Sequence, residues 1–289
     1  MDGWIILDKE RGLYSRTAGG KLARMFGAKT SGHIGTLDPM ATGVLPVALG
    51  RATKMIPFVE AAAPACKEYL FGMQFGFQTD TLDITGHETL RDDIVPKGAD
   101  VLKALPEFIG KISQIPPIYS AVHIDGRRAY DIARQGRTAD MPPRQIEIFS
   151  LEFIGQDGPS WQFKVRCSRG TYVRSLARDI AARVGAIATV DMIRRTQTNG
   201  FDLKNAVKLD FLEKMVNNGG DVSQYLMSTD FGLGDIPVLN LAGNDAERYI
   251  NGGFIKTTQA DGLYRIYNNA TFVGIGRVTD TELRPKRTI

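Results

Sequence analysis

The sequence predicts an α+β protein, because strand-like and helix-like segments follow one another without the strict alternation of a doubly wound sheet. Three observations carry this prediction. Apolar runs with strand character stand at Trp4 to Leu7, Val44 to Leu49 and Cys66 to Phe77, the last with Tyr69, Phe71, Met73 and Phe75 alternating against mostly small or polar residues. The segment Tyr172 to Val184 has the spacing of an amphipathic helix, with Val173, Leu176, Ala177, Ile180 and Val184 on one stripe and Gly185 at the expected stop. The last stretch, Val238 to Ile289, is Gly- and Thr-containing with short strand-like runs, and its about 50 residues sit near the lower limit for a domain that folds alone.

Taken in order, Trp4 to Leu7 reads as a strand and Lys9 to Gly12 as a turn. Ser15 is placed to cap a helix reaching about Phe26, with Leu22, Met25 and Phe26 on its buried side. Val44 to Leu49 and Cys66 to Phe77 follow as strands, and Ala99 to Ile109 as a helix that Gly110 terminates. Gln145 to Ile154 and Trp161 to Cys167 read as strands around the turn signal Gln156-Asp157-Gly158-Pro159. Arg174 and Arg178 lie off the apolar stripe of the Tyr172 helix. A boundary is expected near Asp235-Ile236-Pro237, and Leu263 to Tyr267 and Thr271 to Gly276 are the clearest strands beyond it.

Composition narrows the function classes. With 43% hydrophobic and 24% charged residues the chain reads as an ordinary globular protein. No stretch holds the ~18 apolar residues that a membrane span needs, and the N-terminus lacks the pattern of a signal peptide, so a cytoplasmic protein with no membrane partner is expected. Cys66 and Cys167 form no C-x-x-C and, with only three histidines, give no basis for a metal site. Gly19-Gly20-Lys21-Leu22 lacks the spacing of a phosphate-cradling loop, and no Ser-His-Asp pattern has local support. The mild basic balance, 36 Lys and Arg against 32 Asp and Glu, permits a nucleic-acid partner without demanding one. Lys164, Arg166, Arg169, Arg174, Arg178 and Arg183, interleaved with Trp161, Phe163 and Tyr172, tilt that balance toward a surface for phosphates and bases.

The most informative run is His33-Ile34-Gly35-Thr36-Leu37-Asp38-Pro39-Met40-Ala41-Thr42-Gly43, continuing to Lys54. An Asp on a Gly-bracketed turn, with Pro behind it and a strand beyond, is what a single positioned carboxylate needs. The run resembles the motif G-H-x-G-T-L-D-P-x-A-T-G-x-L of the TruB family of tRNA pseudouridine synthases. Further ordered matches follow at Lys67-Glu68-Tyr69, Gly76-Phe77-Gln78-Thr79-Asp80-Thr81-Leu82-Asp83, Gln114-Ile115-Pro116-Pro117-Ile118-Tyr119-Ser120-Ala121 with Tyr130, Ala133, Arg134 and Gly136, Cys167-Ser168-Arg169-Gly170-Thr171-Tyr172-Val173-Arg174, and Ile193-Arg194-Arg195-Thr196 with Gly200-Phe201. Two positions depart from the family pattern. Lys9-Glu10-Arg11-Gly12 replaces Lys-Pro-x-Gly, and His123 stands where a basic residue is usual.

The resemblance implies a mixed, mainly antiparallel sheet in a catalytic domain over residues 1–235, with a helical insertion over roughly 84–144, and a small PUA-like RNA-binding domain over 236–289. It implies isomerisation of uridine to pseudouridine at position 55 in the T-arm of tRNA, by a monomer. That reaction breaks the glycosidic bond of uridine and rejoins the ribose through C5 of the same base; nothing is oxidised and no group is imported, so no cofactor or metal is called for. By the resemblance Asp38 is the nucleophile, Tyr69 stacks on the target base, Arg174 pairs with Asp38, and Tyr172 and Ile193 complete the pocket. A uridine inside folded RNA must be flipped out, and His33, on the same loop as Asp38, is suited to stack against RNA bases. Thr36 and Lys9 are expected RNA contacts. Two rival readings stand beside this one: an RNA-binding or RNA-folding protein in which catalysis is secondary, and a subunit of a guide-RNA particle. The intact set of Asp38, Tyr69, Tyr172 and Arg174 argues against the first, and the short tail against the second.

Overall fold

The structure, a computed structural model, describes residues 1–61, 66–120, 122–124, 127–129 and 140–289. The sequence matches at Ala121 and from Tyr130 to Gly136, and the side chain of His123, lie outside the described residues. In chain order the elements are β1 (Gly3–Lys9), α1 (Ser15–Met25), β2 (Ser31–His33), β3 (Thr42–Leu49), α2 (Ile56–Ala61), β4 (Cys66–Phe75), β5 (Phe77–Thr79), β6 (Glu88–Arg91), α3 (Gly98–Ala104), β7 (Gly110–Gln114), β8 (His123–Ile124), β9 (Arg127–Arg128), β10 (Arg144–Asp157) and β11 (Ser160–Ser168). Then come α4 (Val173–Arg183), β12 (Ala188–Thr198), β13 (Phe201–Asp202), α5 (Leu209–Asn217), β14 (Val238–Leu241), α6 (Gly243–Ile250), β15 (Ile255–Lys256), β16 (Gly262–Asn268), β17 (Thr271–Thr279) and β18 (Glu282–Thr288). The mixed α and β content agrees with the expected α+β class. No helix among the described residues is long and apolar enough to cross a membrane.

Two compact units form. One comprises Met1–Leu37, Leu45–Ala63 and Asn199–Ile289, the other Asp38–Val44 and Pro64–Thr198. In the second unit the sheet runs β12-β4-β11-β10-β7, every neighbour antiparallel, with the first residues of β3 added in parallel through Arg194↔Thr42 and Arg195↔Gly43. Phe71 and Phe163 stack at 5.2 Å between centroids in its core, and Trp161 meets Phe75 edge-on at 5.3 Å. Helix α4 buries Leu176, Ala177, Ile180 and Ala181 and packs on β12 and β4.

In the first unit β1 and β2 flank the later part of β3, and Trp4, Leu7, Leu22, Val47 and Leu49 are fully buried. A second sheet, in the order β14-β16-β17-β18-β15, encloses Tyr249, Ile266, Val278 and Leu283. It is tied to the rest of its unit by polar links. Asp230 is 7% exposed and receives Arg265 Nη1 at 3.0 Å and the Tyr267 hydroxyl, while Lys54 Nζ donates to the Thr288 carbonyl at 3.1 Å. Burial works against ionisation of Asp230, but the hydrogen bonds from Tyr267, Ser228 and Arg265 outweigh it and hold the carboxyl below its ordinary range.

The structure corrects four local expectations. The Ser15 side chain does not cap α1: the helix begins at Ser15 itself, and the hydroxyl instead donates to the Leu37 carbonyl at 2.9 Å and accepts from Leu37 N–H at 3.0 Å. The single strand expected over Cys66 to Phe77 breaks at Gly76, whose φ of +97° turns its carbonyl to accept the N–H groups of Asp92 and Asp93. The helix expected over Ala99 to Ile109 holds its α form only to Ala104. Pro106 brings no N–H to continue the ladder, and Leu105–Phe108 tightens to a 3-10 turn. The fourth is Arg174, expected off the apolar stripe of its helix: it is only 4% exposed.

Candidate active site

Local chemistry shapes the Asp38 turn. The Asp38 carbonyl accepts the Ala41 N–H at 3.1 Å, closing a β-turn with Pro39 at its second position, where the fixed proline φ belongs. Gly43 follows at φ +99°, and a Cβ there would lie 2.1 Å from the Arg195 carbonyl, so glycine is the residue that lets β3 approach β12. The Thr42 hydroxyl reaches the Ile193 carbonyl at 3.4 Å on the same strand. The turn that carries Asp38 is thereby anchored to β12 at its C-terminal side.

Arg174 sits in the first turn of α4 and gathers four acceptors. Its Nη2 lies 2.9 Å from Asp38 Oδ2 and donates to the Tyr119 carbonyl at 2.9 Å; its Nη1 donates to the Thr81 carbonyl at 2.7 Å and lies 3.5 Å from Asp83 Oδ2. The Arg174 and Asp83 side chains are each 5% exposed, whereas that of Asp38 is 41% exposed. One guanidinium therefore bridges a buried carboxylate and an open one. The open one is the group that can meet a substrate.

Asp83 is itself built in. Leu82 adopts φ +63°, a left-handed turn that sets the neighbouring Thr81 carbonyl and Asp83 carboxylate toward Arg174. The Thr81 hydroxyl at 3.1 Å, the Thr85 N–H at 2.9 Å and the Thr85 hydroxyl all donate to Asp83 Oδ1, and the buried Thr79 hydroxyl donates to the Asp83 carbonyl at 2.7 Å. The sequence run Thr79-Asp80-Thr81-Leu82-Asp83 thus forms a cradle for the arginine.

Gln114 does the corresponding work for Tyr172. Its side chain is buried, and its amide accepts the Tyr172 N–H at 2.8 Å and donates to the Tyr172 carbonyl at 3.2 Å, copying the paired bonds of a β-bridge at the residue that opens α4. Ser175 and Arg178 both donate to the Ile115 carbonyl, at 2.8 and 3.0 Å. The first turn of α4 is clamped from the Gln114-Ile115 segment.

Tyr69 lies on β4, directly opposite Arg195 of β12 and on the same face as Phe71 and Ile193. It is 7% exposed. Burial pushes its phenol up to about 12, against the pull of the Arg195 guanidinium that hydrogen-bonds it, and the Asp38 charge adds a smaller push in the same direction. The ring is a neutral, apolar-walled platform across the physiological range. Ile193, opposite Phe71 in register, is 5% exposed.

Asp38, Tyr69 and Arg174 are thus brought together in one unit, with Tyr172 and Ile193 on elements that hold them. His33, Thr36 and Lys9 belong to the other unit. There His33 Nε2 lies 3.2 Å from the Thr36 hydroxyl, the imidazole half-buried and Thr36 exposed. Lys9 is 1% exposed, and its ammonium donates to the Glu10 and Leu13 carbonyls at 2.9 and 2.8 Å, so it pins the turn after β1. Sequence reasoning gave no role to Asp83 or Gln114. Asp83 carried a signal, a carboxylate between two threonines at i−2 and i+2, but Gln114 carried none beyond its place before Ile-Pro-Pro. The basic run also sorts itself: Arg183 is bidentate to Glu107, Lys164 pairs with Glu68 and Arg178 with Asp179, which leaves Arg166 and Arg169 as exposed cations with no carboxylate partner among the described residues.

Comparison with known proteins adds to this geometry. Residues 23–173 match the model of the TruB family pseudouridylate synthase N-terminal domain, and residues 237–289 match that of the pseudouridine synthase II TruB C-terminal domain. The chain is 42% identical over 253 residues to the tRNA pseudouridine synthase B of Caulobacter vibrioides, covering 87% of this chain and 80% of that protein. It is 38% identical over 295 residues to the tRNA pseudouridine synthase B of Pseudomonas fluorescens, covering 100% of this chain and 96% of that protein. Among solved structures, a chain of a Cbf5-Nop10-Gar1 complex superposes with a TM-score of 0.70 at 22% identity, covering 99% of this chain and 84% of that one, a likeness of fold.

Two outcomes follow from the site. With its folded pKa raised above the unfolded value of about 10, neutral Tyr69 contributes stability that is complete below pH ~10 and is lost as pH rises toward 12. Tyr69→Phe should therefore flatten the fall in chemical-denaturation stability between pH 10 and 12; a slope equal to wild type would show that the phenol is not desolvated. Gln114→Leu leaves the Tyr172 N–H and carbonyl without their partner at a buried site and should cost about 2 kcal/mol or more by urea unfolding. A loss below ~0.5 kcal/mol, the size of an ordinary surface change, would contradict the clamp.

Proposed function

Because the chain belongs to the TruB family of pseudouridylate synthases, we propose that it isomerises uridine to pseudouridine in tRNA, at position 55 of the T-arm. The observation that carries this reading is the half-open Asp38 carboxylate held at 2.9 Å by a buried guanidinium whose other acceptors are all fixed by the fold. A nucleophilic carboxylate must be fixed in orientation and keep one lone-pair direction free. Arg174 serves the first need, and the exposed side of Asp38 the second.

In this reading the target uridine leaves the RNA stack at a cost of roughly a few kcal/mol, and His33, steadied by Thr36, occupies the vacated space. Tyr69 stacks on the extruded base, and Tyr172 and Ile193 close the pocket around it. Asp38 attacks, the glycosidic bond breaks, and the uracil stays bound while it turns to present C5 to the ribose. A neutral Tyr69 is suited to hold a detached base by its face, because it offers no competing charge. The C5 proton is lost after the new bond forms. Asp38 is released as that bond is made, N1 takes up a proton in place of the one lost from C5, and every heavy atom of the substrate is retained, so the chemistry asks for no cofactor and no metal. The enzyme acts as a cytoplasmic monomer, with Lys9 fixing the turn that follows β1, and residues 236–289 form an accessory RNA-binding domain.

Asp38→Asn tests the assignment. The substitution keeps the size of the side chain and removes the nucleophile, so pseudouridine formation on a T-arm stem-loop should vanish while RNA binding stays within about tenfold, which is ~1.4 kcal/mol. Measurable turnover by a clean Asp38→Asn preparation would sink the proposal, and mapping pseudouridine in tRNA from cells with and without the gene identifies the position.

A further inference from the structure

Beside the Arg174 cradle, the unit that contains Asp38 holds a pocket of about 440 Å³. The turn of Asp80 and Leu82 and the segment from Ile115 to Ile118 line it, together with Asp140, Met141 and Arg178, which lies one turn beyond Arg174 on the same face of α4. Its size falls within the range of small-molecule sites, roughly 300–1,000 Å³. The neighbouring Thr81 and Tyr119 carbonyls, one on each of the two segments, are the ones that hold Arg174.

The lining combines hydrocarbon with unneutralised negative charge. Leu82, Ile118 and Met141 contribute apolar side chains, Pro116 and Pro117 add ring methylenes and no N–H, and Ile115 is left 50% exposed. The one cation is already engaged: Nε and Nη2 of Arg178 both lie 2.8 Å from Asp179 Oδ1, and Nη2 also donates to the Ile115 carbonyl at 3.0 Å. Asp80 receives only neutral donors, the His87 N–H at 2.9 Å and the Tyr119 hydroxyl at 3.3 Å. Neither Asp80 nor Asp140 forms an ion pair among the described residues.

From this lining we infer that the pocket binds an aliphatic polyamine, a chain of methylenes between ammonium groups. Asp80 and Asp140 take the ammonium heads, and the methylenes lie along Ile115, Ile118 and Met141, as a lysine stem lies along apolar surface. The other ligand classes fit less well. A metal ion needs several converging oxygens, and no group of three or more acidic, histidine or cysteine side chains among the described residues is placed to hold one. A phosphate would meet two carboxylates and a guanidinium already committed to Asp179. A neutral apolar molecule would strip water from both carboxylates and return no partner. A bound polyamine touches both segments at once, so it fastens the walls that carry the carbonyl acceptors of Arg174. The inference holds whatever reaction Asp38 performs.

The test uses the full chain freed of RNA, with spermidine as the probe at low salt, where partly open charges are least screened. Titration calorimetry should show saturable binding of one spermidine per chain, which magnesium chloride at matched ionic strength, charge without methylenes, does not displace. Asp140→Asn should weaken it by about fivefold, the size of a partly open ion pair, and Asp140→Lys, which tethers a competing ammonium at the site, by more than about tenfold. Met141→Ser should weaken it severalfold by removing apolar contact. Asp157→Asn, which removes the same charge from the turn between β10 and β11, should leave it unchanged. Thermal midpoints without ligand establish that each variant is folded. Hydrogen exchange locates the ligand: spermidine should slow the amides of residues 78–85 and 118–120 in the wild-type protein and not in Asp140→Lys. No saturable binding, displacement by magnesium, equal losses in Asp140→Asn and Asp157→Asn, or protection confined to other segments overturns the inference.

Discussion

Everything around the site depends on one buried positive charge. A guanidinium taken out of water is costly unless it is paired and its donors are satisfied, and the penalty after relaxation is still several kcal/mol per ion. Arg174 meets that requirement with two carboxylates and two carbonyls drawn from separate stretches of chain, around residues 38, 81 to 83 and 119. Each stretch must therefore be in register for the arginine to be tolerated at all. The left-handed Leu82, the threonines around Asp83 and the Gln114 clamp on Tyr172 are the local devices that bring this about.

The same constraint divides labour between the two aspartates. Asp83, saturated by hydroxyl and amide donors, compensates the charge of Arg174 inside the protein. Asp38 can then be held by Arg174 without being enclosed, because it is not the only group keeping the guanidinium satisfied. A second, structural carboxylate is what lets Asp38 stay open.

The sequence singled out Asp38, Tyr69 and Arg174 more readily than the residues that hold them in place. Asp38, Tyr69 and Arg174 stood in dense motifs, and the amphipathic stripe of Val173 to Val184 located the helix that carries Arg174 to within a residue at each end. Periodicity also misled at Arg174: lying off the apolar stripe usually means solvent, and only tertiary pairing buries it. Ser15 shows the same limit, since a hydroxyl at a helix start reads as a cap and here secures the backbone of Leu37. The Gln114 clamp and the pocket lined by Asp80, Ile118 and Met141 depend on approaches between separate segments of chain, which no local pattern encodes.

That Arg174 orients Asp38 through a fixed, planar set of hydrogen bonds is tested most directly by Arg174→Lys, with the single-turnover rate on a T-arm stem-loop, RNA affinity and thermal midpoint measured together. Lysine keeps the charge but cannot serve acceptors on two sides of a plane. The rate should fall at least a hundredfold, about 2.7 kcal/mol in the barrier, in a protein that still folds and binds RNA. A folded Arg174→Lys enzyme turning over within a few-fold of wild type would contradict this role for the guanidinium.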